Sequence, residues 1–232
     1  MDLASLSRLN AARAARRAAV LVTELAGGRS EVLEEGDTAP PHLADAVRAA
    51  FLSGRSGLVE TEAGQLFLNV HLPPPRIVAI GAVHITQALA RLAGIVGFDL
   101  TVIDPRTAFA TAERFEGVDL VADWPEDVLP ARPLDAYTAL AAVTHDPKID
   151  DFALAEALRR GCFYVGALGS RKTHAKRVER LAAMGLAAEE IARIRAPIGI
   201  DIGAASPQEI ALAILAEIVE SFRHRNLAGA TA

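Results

Sequence analysis

Residues 76–106, RIVAIGAVHITQALARLAGIVGFDLTVIDPR, decide the fold. The stretch opens on Ile77, Val78 and Ile80, a short apolar run of the kind buried on both faces as a parallel strand. Gly81 breaks the run. Ile85, Leu89, Leu92, Ala93 and Val96 then recur at three- and four-residue spacing, which predicts a helix with one stripe packed on a sheet. Gly97 ends that helix, and residues 98–103 predict a second strand finishing at Asp104. The whole is a βαβ unit, the first half of a dinucleotide-binding fold, with an acidic residue about 20 positions past the glycine. The phosphate fingerprint of such folds, G-x-G-x-x-G/A, here holds Gly81, Val83 and Thr86. Val83 puts a branched side chain where a pyrophosphate needs bare backbone, so the fold is better supported than nucleotide binding at this turn.

Working outward, a chain of 232 residues can bury a substantial core, and 51% hydrophobic with 23% charged residues is globular rather than disordered. A net charge of −5 argues against general attraction to nucleic acid or acidic membranes. A single cysteine excludes an internal disulfide and a cysteine-based zinc site, which fits a reducing compartment. Arg8, Arg13, Arg16 and Arg17 resemble a targeting segment, but the apolar run after them is too short for a signal peptide or a span. The expectation is a cytoplasmic protein.

Residues 3–16 predict an amphipathic surface helix, residues 18–25 and 30–33 a hairpin, residues 40–51 a helix, and residues 57–60 and 65–71 a second hairpin turning at Glu62-Ala63-Gly64. Pro73, Pro74 and Pro75 cannot continue a sheet and mark a boundary, giving a small α+β domain over residues 1–72 and a larger one over residues 73–232. In the larger one, residues 118–122, 136–144 and 163–168 read as strands, and residues 124–133 as a loop with one helical turn. Asp150 or Asp151 is expected to cap the helix carrying Phe152, Leu154 and Leu158, and a further helix opens at Gly169–Lys172. Ile191 and Ile194 read as one short helix, residues 197–203 as a strand or extended loop, and Ser206-Pro207-Gln208-Glu209 as a strong helix start. The Ala/Gly-rich tail reads as disordered. The fold class is α/β: a Rossmann-like doubly wound parallel sheet preceded by the small α+β domain.

In such a sheet, ligands bind at the carboxyl ends of the strands. Four segments end there in polar residues, and their convergence is the main functional signal. After the first strand come Gly81 and His84, the latter either a ligand contact or a surface histidine. After the second come Asp104, a ribose or pterin acceptor or a solvated strand end, and Arg106, a partner for a phosphate or for Asp104 itself. Thr144, His145 and Asp146 follow a buried strand, as an acid/base pair, as ligands, or as an Asx turn before Pro147. Gly166, Gly169, Ser170, Arg171 and Lys172 form the best anion site, though no P-loop, with a capped basic helix through Lys176, Arg177 and Arg180 as the alternative. Cys162 sits in an apolar setting and reads as packing more than as a sulfur carrier. No metal-ligand spacing or serine-triad signature is present.

IVAIGAVHITQALARLAGIVGFDLTVIDPR, VTHDPKIDD, FYVGALGSRKTHAKRVERL and APIGIDIGAASPQEIALAILAEIV, four blocks in order over residues 73–222, resemble the C-terminal domain of the XdhC/CoxI family. These are accessory proteins of xanthine dehydrogenase and related molybdenum hydroxylases. The resemblance implies a Rossmann-like domain that binds molybdenum cofactor (molybdopterin) as cargo, protects it during sulfuration and helps insert it. It implies as partners a molybdenum hydroxylase and a cysteine desulfurase, and a homodimer. Longer members carry a cysteine-bearing N-terminal stretch that residues 1–72 do not match, and Cys162 is not its equivalent. On this view the chain is a binding protein and not an enzyme in the usual sense. The rival reading is an NAD(P)-dependent oxidoreductase using Gly81, Asp104, His145 and Asp146; Val83 speaks against it. A third is a scaffold that only docks on a dehydrogenase.

Overall fold

The computed structural model describes residues 2–62 and 64–224, so the tail and Ala63 of the expected turn lie outside the described residues. The chain forms two compact units, the first running to Pro73 and the second spanning Pro74–Arg223.

In the first unit, α1 (Leu3–Ala14) starts at Asp2, whose carboxylate accepts the Ser5 amide at 2.7 Å. Strands β1 (Ala19–Glu24) and β2 (Ser30–Glu34), helix α2 (Ala44–Ser53), and strands β3 (Gly57–Thr61) and β4 (Gly64–His71) follow. The four strands make one antiparallel sheet in the order β2-β1-β4-β3. Alternation along β1 covers both faces: Ala19 and Leu21 pack with Leu9 and Ala12 of α1, while Val20 and Val22 pack with Val47 and Ala50 of α2. Helix α2 starts at Ala44, later than the expected residue 40, past Pro40 and Pro41.

The second unit runs β5 (Arg76–Ile80), α3 (His84–Ile95), β6 (Asp99–Ile103), β7 (Asp119–Val121), α4 (Pro125–Val128), β8 (Thr138–Ala142), α5 (Pro147–Arg159), β9 (Tyr164–Ala167), α6 (Arg171–Ala183), α7 (Ala188–Ile191), β10 (Ile194–Arg195) and α8 (Pro207–His224). Its six parallel strands lie in the order β10-β9-β8-β5-β6-β7. Numbered from β5, this is the 3-2-1-4-5-6 order of a dinucleotide-binding sheet. Ile77, Ala139 and Ala141 pack with α3 and α8 on one face, and Val78, Ile80, Leu140 and Ala142 with α4 to α7 on the other. The predicted doubly wound α/β fold is what the chain adopts.

Two expectations are corrected here. Helix α5 is capped by Asp146, not by Asp150 or Asp151: the Asp146 carboxylate accepts the Lys148 amide at 3.0 Å, and Pro147 fills the first helical position, where no amide is needed. Ile194 leaves the short helix, which stops at Ile191, and pairs with Val165 as an edge strand. Pairing to β9 overrides the local helical pattern. Gly166 lies inside β9, within the strand expected over residues 163–168, and a side chain there would collide with Ile198 at 2.6 Å. At Ser206 the expectation holds: its hydroxyl accepts the Glu209 amide and the Glu209 carboxylate accepts the Ser206 amide, a capping box.

Candidate functional site

Strand order reverses between β5 and β8. Helix α3 leaves β5 toward one face and α5 leaves β8 toward the other, the switch point above which sheets of this kind bind their ligands. The two turns touch there. Gly81 adopts φ +119°, and a Cβ on it would lie 2.8 Å from Thr144 Cγ2. Thr86, at the third fingerprint position, is buried and its hydroxyl donates to the Gly81 carbonyl at 2.6 Å. The turn is thereby closed by its own chain.

Asp104, at the end of β6, is fully buried beneath this rim. One carboxylate oxygen accepts the Ala82 amide at 2.7 Å and Arg106 Nη2 at 2.7 Å; the other accepts the Arg106 amide and Nε, both at 2.9 Å. Burial alone would raise this carboxyl, but the Arg106 and Ala82 hydrogen bonds outweigh it and hold it below its ordinary value. The same pairing raises Arg106. With both oxygens engaged, Asp104 positions Arg106 and the first turn; Arg106, about a third exposed, is the group that reaches the surface, stacked 4.7 Å from the Phe109 ring.

After β8, His145 takes a left-handed φ of +66°, a conformation that histidine tolerates better than β-branched residues do. The bend lets Thr144 Oγ1 accept the Asp146 amide at 3.0 Å while donating to Asp150 Oδ1 at 2.7 Å. Asp146 is spent as the cap of α5. Asp150 is nearly fully buried and its Oδ2 has no hydrogen-bond partner; burial pushes its carboxyl up to about 6.

The turn after β9 closes the group. Gly169, at φ +133°, would bring a Cβ to 3.8 Å from His145 Nδ1, so this loop abuts the β8 loop. Ser170 caps α6, its hydroxyl accepting the Thr173 amide at 3.2 Å, and Arg171 and Lys172 stand exposed on the first turn. Between α5 and α6 lies a cavity of about 320 Å³. Arg177 lines it and is 2% exposed: Nη2 donates to the Leu168 carbonyl at 2.9 Å, while Nε and Nη1 have no hydrogen-bond partner. Arg180, also at the cavity, is paired through Nε and Nη2 with the two carboxylate oxygens of Asp151.

Gly81, Thr144, His145, Asp146, Gly169, Ser170, Arg171 and Lys172 are thus brought to one rim, with Asp104 and Arg106 beside them. His84 is not with them: it is exposed on α3 and lines a separate groove of about 550 Å³ with Arg91 and, from α8, Gln208 and Glu209. Cys162 is fully buried, its thiol pushed up to about 12 by burial, and takes no part. Sequence reasoning missed Asp150, Asp151 and Arg177 as site residues. The signal that could have found them is the i, i+3 spacing of Arg177 and Arg180 on a helix following two adjacent acids. Among the described residues no cluster of side chains suits a metal ion, and no helix is long and apolar enough to cross a membrane.

Residues 77–218, more than half of the chain, match the family model described as the XdhC Rossmann domain. The chain is 34% identical over 170 residues to the uncharacterized protein YqeB of Escherichia coli K12, an alignment covering 68% of this chain and 29% of that protein. It is 31% identical over 157 residues to a probable xanthine dehydrogenase subunit of Bacillus subtilis 168, covering 67% and 46%. It is 31% identical over 153 residues to the molybdenum cofactor insertion chaperone PaoD of Escherichia coli K12, covering 66% and 42%. In each case the alignment takes in less than half of the relative. A crystal structure of a xanthine dehydrogenase from Bacillus halodurans superposes with a TM-score of 0.68 at 22% identity, over 98% of this chain and 70% of that one, a likeness of fold.

Proposed function

The chain belongs to the XdhC family, and from that premise we propose that it is a maturation factor for a molybdenum hydroxylase of the xanthine dehydrogenase type. In this role it binds molybdenum cofactor as cargo, shields it during sulfuration and passes it to the apo-enzyme. One observation carries the reading: the loops after β5, β8 and β9 converge at the switch point, the rim of a parallel sheet where ligands of such folds bind. The cargo presents a phosphate and a pterin ring rich in donors and acceptors. Arg171, Lys172 and the free amides at the start of α6 suit the phosphate, and Arg106, His145 and the backbone at Gly81 and Gly169 offer polar groups for the ring. The names carried by PaoD and the Bacillus subtilis relative support the same role.

A carrier that must release its cargo needs no covalent bond to it, and Cys162, the single cysteine, is sealed in the core. Sulfur would therefore come from outside, from a cysteine desulfurase as partner. The reading also includes a homodimer working in the cytoplasm. NAD(P)-dependent oxidation is supported by the strand order alone. Against it stand Val83 in the fingerprint and the Asp104 carboxylate, whose oxygens are already taken.

Titration calorimetry of the full chain with purified molybdenum cofactor, NAD and NADP tests this. Cofactor binding at micromolar dissociation constant or tighter, with no response to NAD or NADP, is expected. Tight NAD(P) binding without cofactor binding would overturn it, and co-purification of a dehydrogenase with no ligand bound would favour a docking scaffold.

A further inference from the structure

The cavity between α5 and α6 holds a defect that its own side chains do not repair. Arg177 is among the largest fully buried side chains, yet two of its three guanidinium nitrogens lack an acceptor. Asp150, at the same cavity, leaves one carboxylate oxygen without a donor. A buried donor left unpaired costs about 1–3 kcal/mol, and more when it is charged, so a folded chain keeps such groups where something else fills them. Asp151 does not, because Arg180 holds it. Lys172 and Lys176 border the same space, are exposed, and have no carboxylate partner among the described residues.

Four cations therefore face two carboxylates, one of them already paired. The remaining carboxyl, Asp150, is the one that burial makes easiest to neutralise. Water could satisfy single donors, but it would leave the excess positive charge uncompensated in a half-enclosed space. A tetrahedral dianion supplies four acceptor oxygens and the opposite charge. A protonated Asp150 would donate to it, Thr144 meanwhile holding the other carboxyl oxygen.

We propose that this cavity is an oxoanion site for a phosphoryl group, with Arg177 as its central donor and Lys172 and Lys176 at its mouth. The phosphate is thus received behind the first turn of α6 and not only at the tip of that helix. That the phosphoryl group is the cargo's own rests on the maturation-factor reading; the oxoanion site does not.

The test is titration of the full chain with inorganic phosphate and with sulfate at constant ionic strength, followed by calorimetry and phosphorus NMR. Sulfate carries the same charge across the working pH range and separates ligand titration from protein titration. Wild type should bind both with submillimolar dissociation constants, and chloride should not compete. Lys176→Ala, at an exposed position that leaves the fold alone, should weaken binding about tenfold; Arg177→Gln, a shorter polar side chain with one amide donor group and no charge, should weaken it further. Unchanged binding in both variants, or none in wild type, overturns the site. Displacement of phosphate by purified molybdenum cofactor assigns the site to the cargo; cofactor binding that leaves phosphate in place assigns it to a free oxoanion and removes the link to the cargo. If the cofactor binds and phosphate does not, the site falls and the maturation reading stands. If phosphate binds through these residues and the cofactor does not, the reverse holds.

Discussion

The methyl group of Thr144 occupies the space into which any side chain at Gly81 would project, 2.8 Å from where its Cβ would be. Gly81 also holds φ at +119°, outside what other residues adopt without strain. Gly81→Ala therefore meets two costs, backbone strain and a clash, together about 2–4 kcal/mol. Removing the methyl should separate them. Thr144→Ser keeps the hydroxyl that bonds Asp150, so the double variant Gly81→Ala/Thr144→Ser should recover part of the loss, seen as non-additive urea midpoints. Strict additivity would mean that the contact between the β5 and β8 turns carries none of the cost.

Arg106 and Asp104 set up a second test, because Asp104 is wholly buried and Arg106 is the cation that neutralises it. Arg106→Ala strands that carboxylate and should destabilise the chain by about 3 kcal/mol at neutral pH. The folded-state carboxyl is held below its ordinary value, so its contribution is complete above that value and fades as pH falls through the folded one. Chemical denaturation of wild type and variant should accordingly converge toward low pH. A gap that stays constant down to the acid transition would mean that lost packing on Phe109, and not the charge pair, explains the effect.

For Asp150 the sign is opposite. Its carboxyl rises from an ordinary 3.8 to about 6, so the folded chain holds a proton that the unfolded chain releases between those values. Stability from this group is therefore greatest at the acid end of that window and declines as pH climbs through it. The groups facing Asp150 are Thr144 on the β8 loop, Arg106 on the β6 loop, Asp151 on its own helix, and Arg177 and Arg180 on α6. Asp150→Asn mimics the protonated form and should be more stable than wild type at pH 8 by about 1–3 kcal/mol, with no advantage near pH 4. Thermal melts across that range measure it. A pH-independent difference would assign the change to packing.

Much of this rim was legible because its signals are local. The break at Gly81, the Asp146-Pro147 pair and the Ser206–Glu209 box each use neighbours in sequence. What escaped depends on partners far along the chain. Asp150 and Asp151 read as caps because a pair of acids before an apolar stripe usually is one; they are buried because α6 brings Arg177 and Arg180 against them. Arg177 reads as part of a solvated basic face, yet the Leu168 carbonyl pulls it inside. Gly166 reads as a strand residue, but only the return of Ile198 across β9 shows why no side chain fits there. The Asp104–Arg106 pair, two residues apart, is among the alternatives the sequence offers; the burial of Asp104 beneath the Ala82 amide is what it does not show.

One carboxylate joins the loop after β10 to both α8 and β9. Glu217 on α8 accepts the Tyr164 hydroxyl at 2.7 Å and the Gly199 amide at 2.8 Å through one oxygen, tying residues 196–206 to strand β9. Ile200 and Ile202 on that loop stay exposed, so the loop is held by buried Ile198, by the Ile200 amide on the Ala213 carbonyl and by the Glu217 bridge. Glu217→Ala leaves a buried hydroxyl and an amide unpaired and should cost about 2–4 kcal/mol. Hydrogen exchange at Gly199 should then speed up far more than exchange in β8. Tyr164→Phe keeps the carboxylate-to-amide bond and should leave Gly199 protected while lowering stability by about 1 kcal/mol. Equal protection of Gly199 in both variants would mean that the loop is held by the Ile198 contact under the sheet, and that the carboxylate only satisfies the tyrosine.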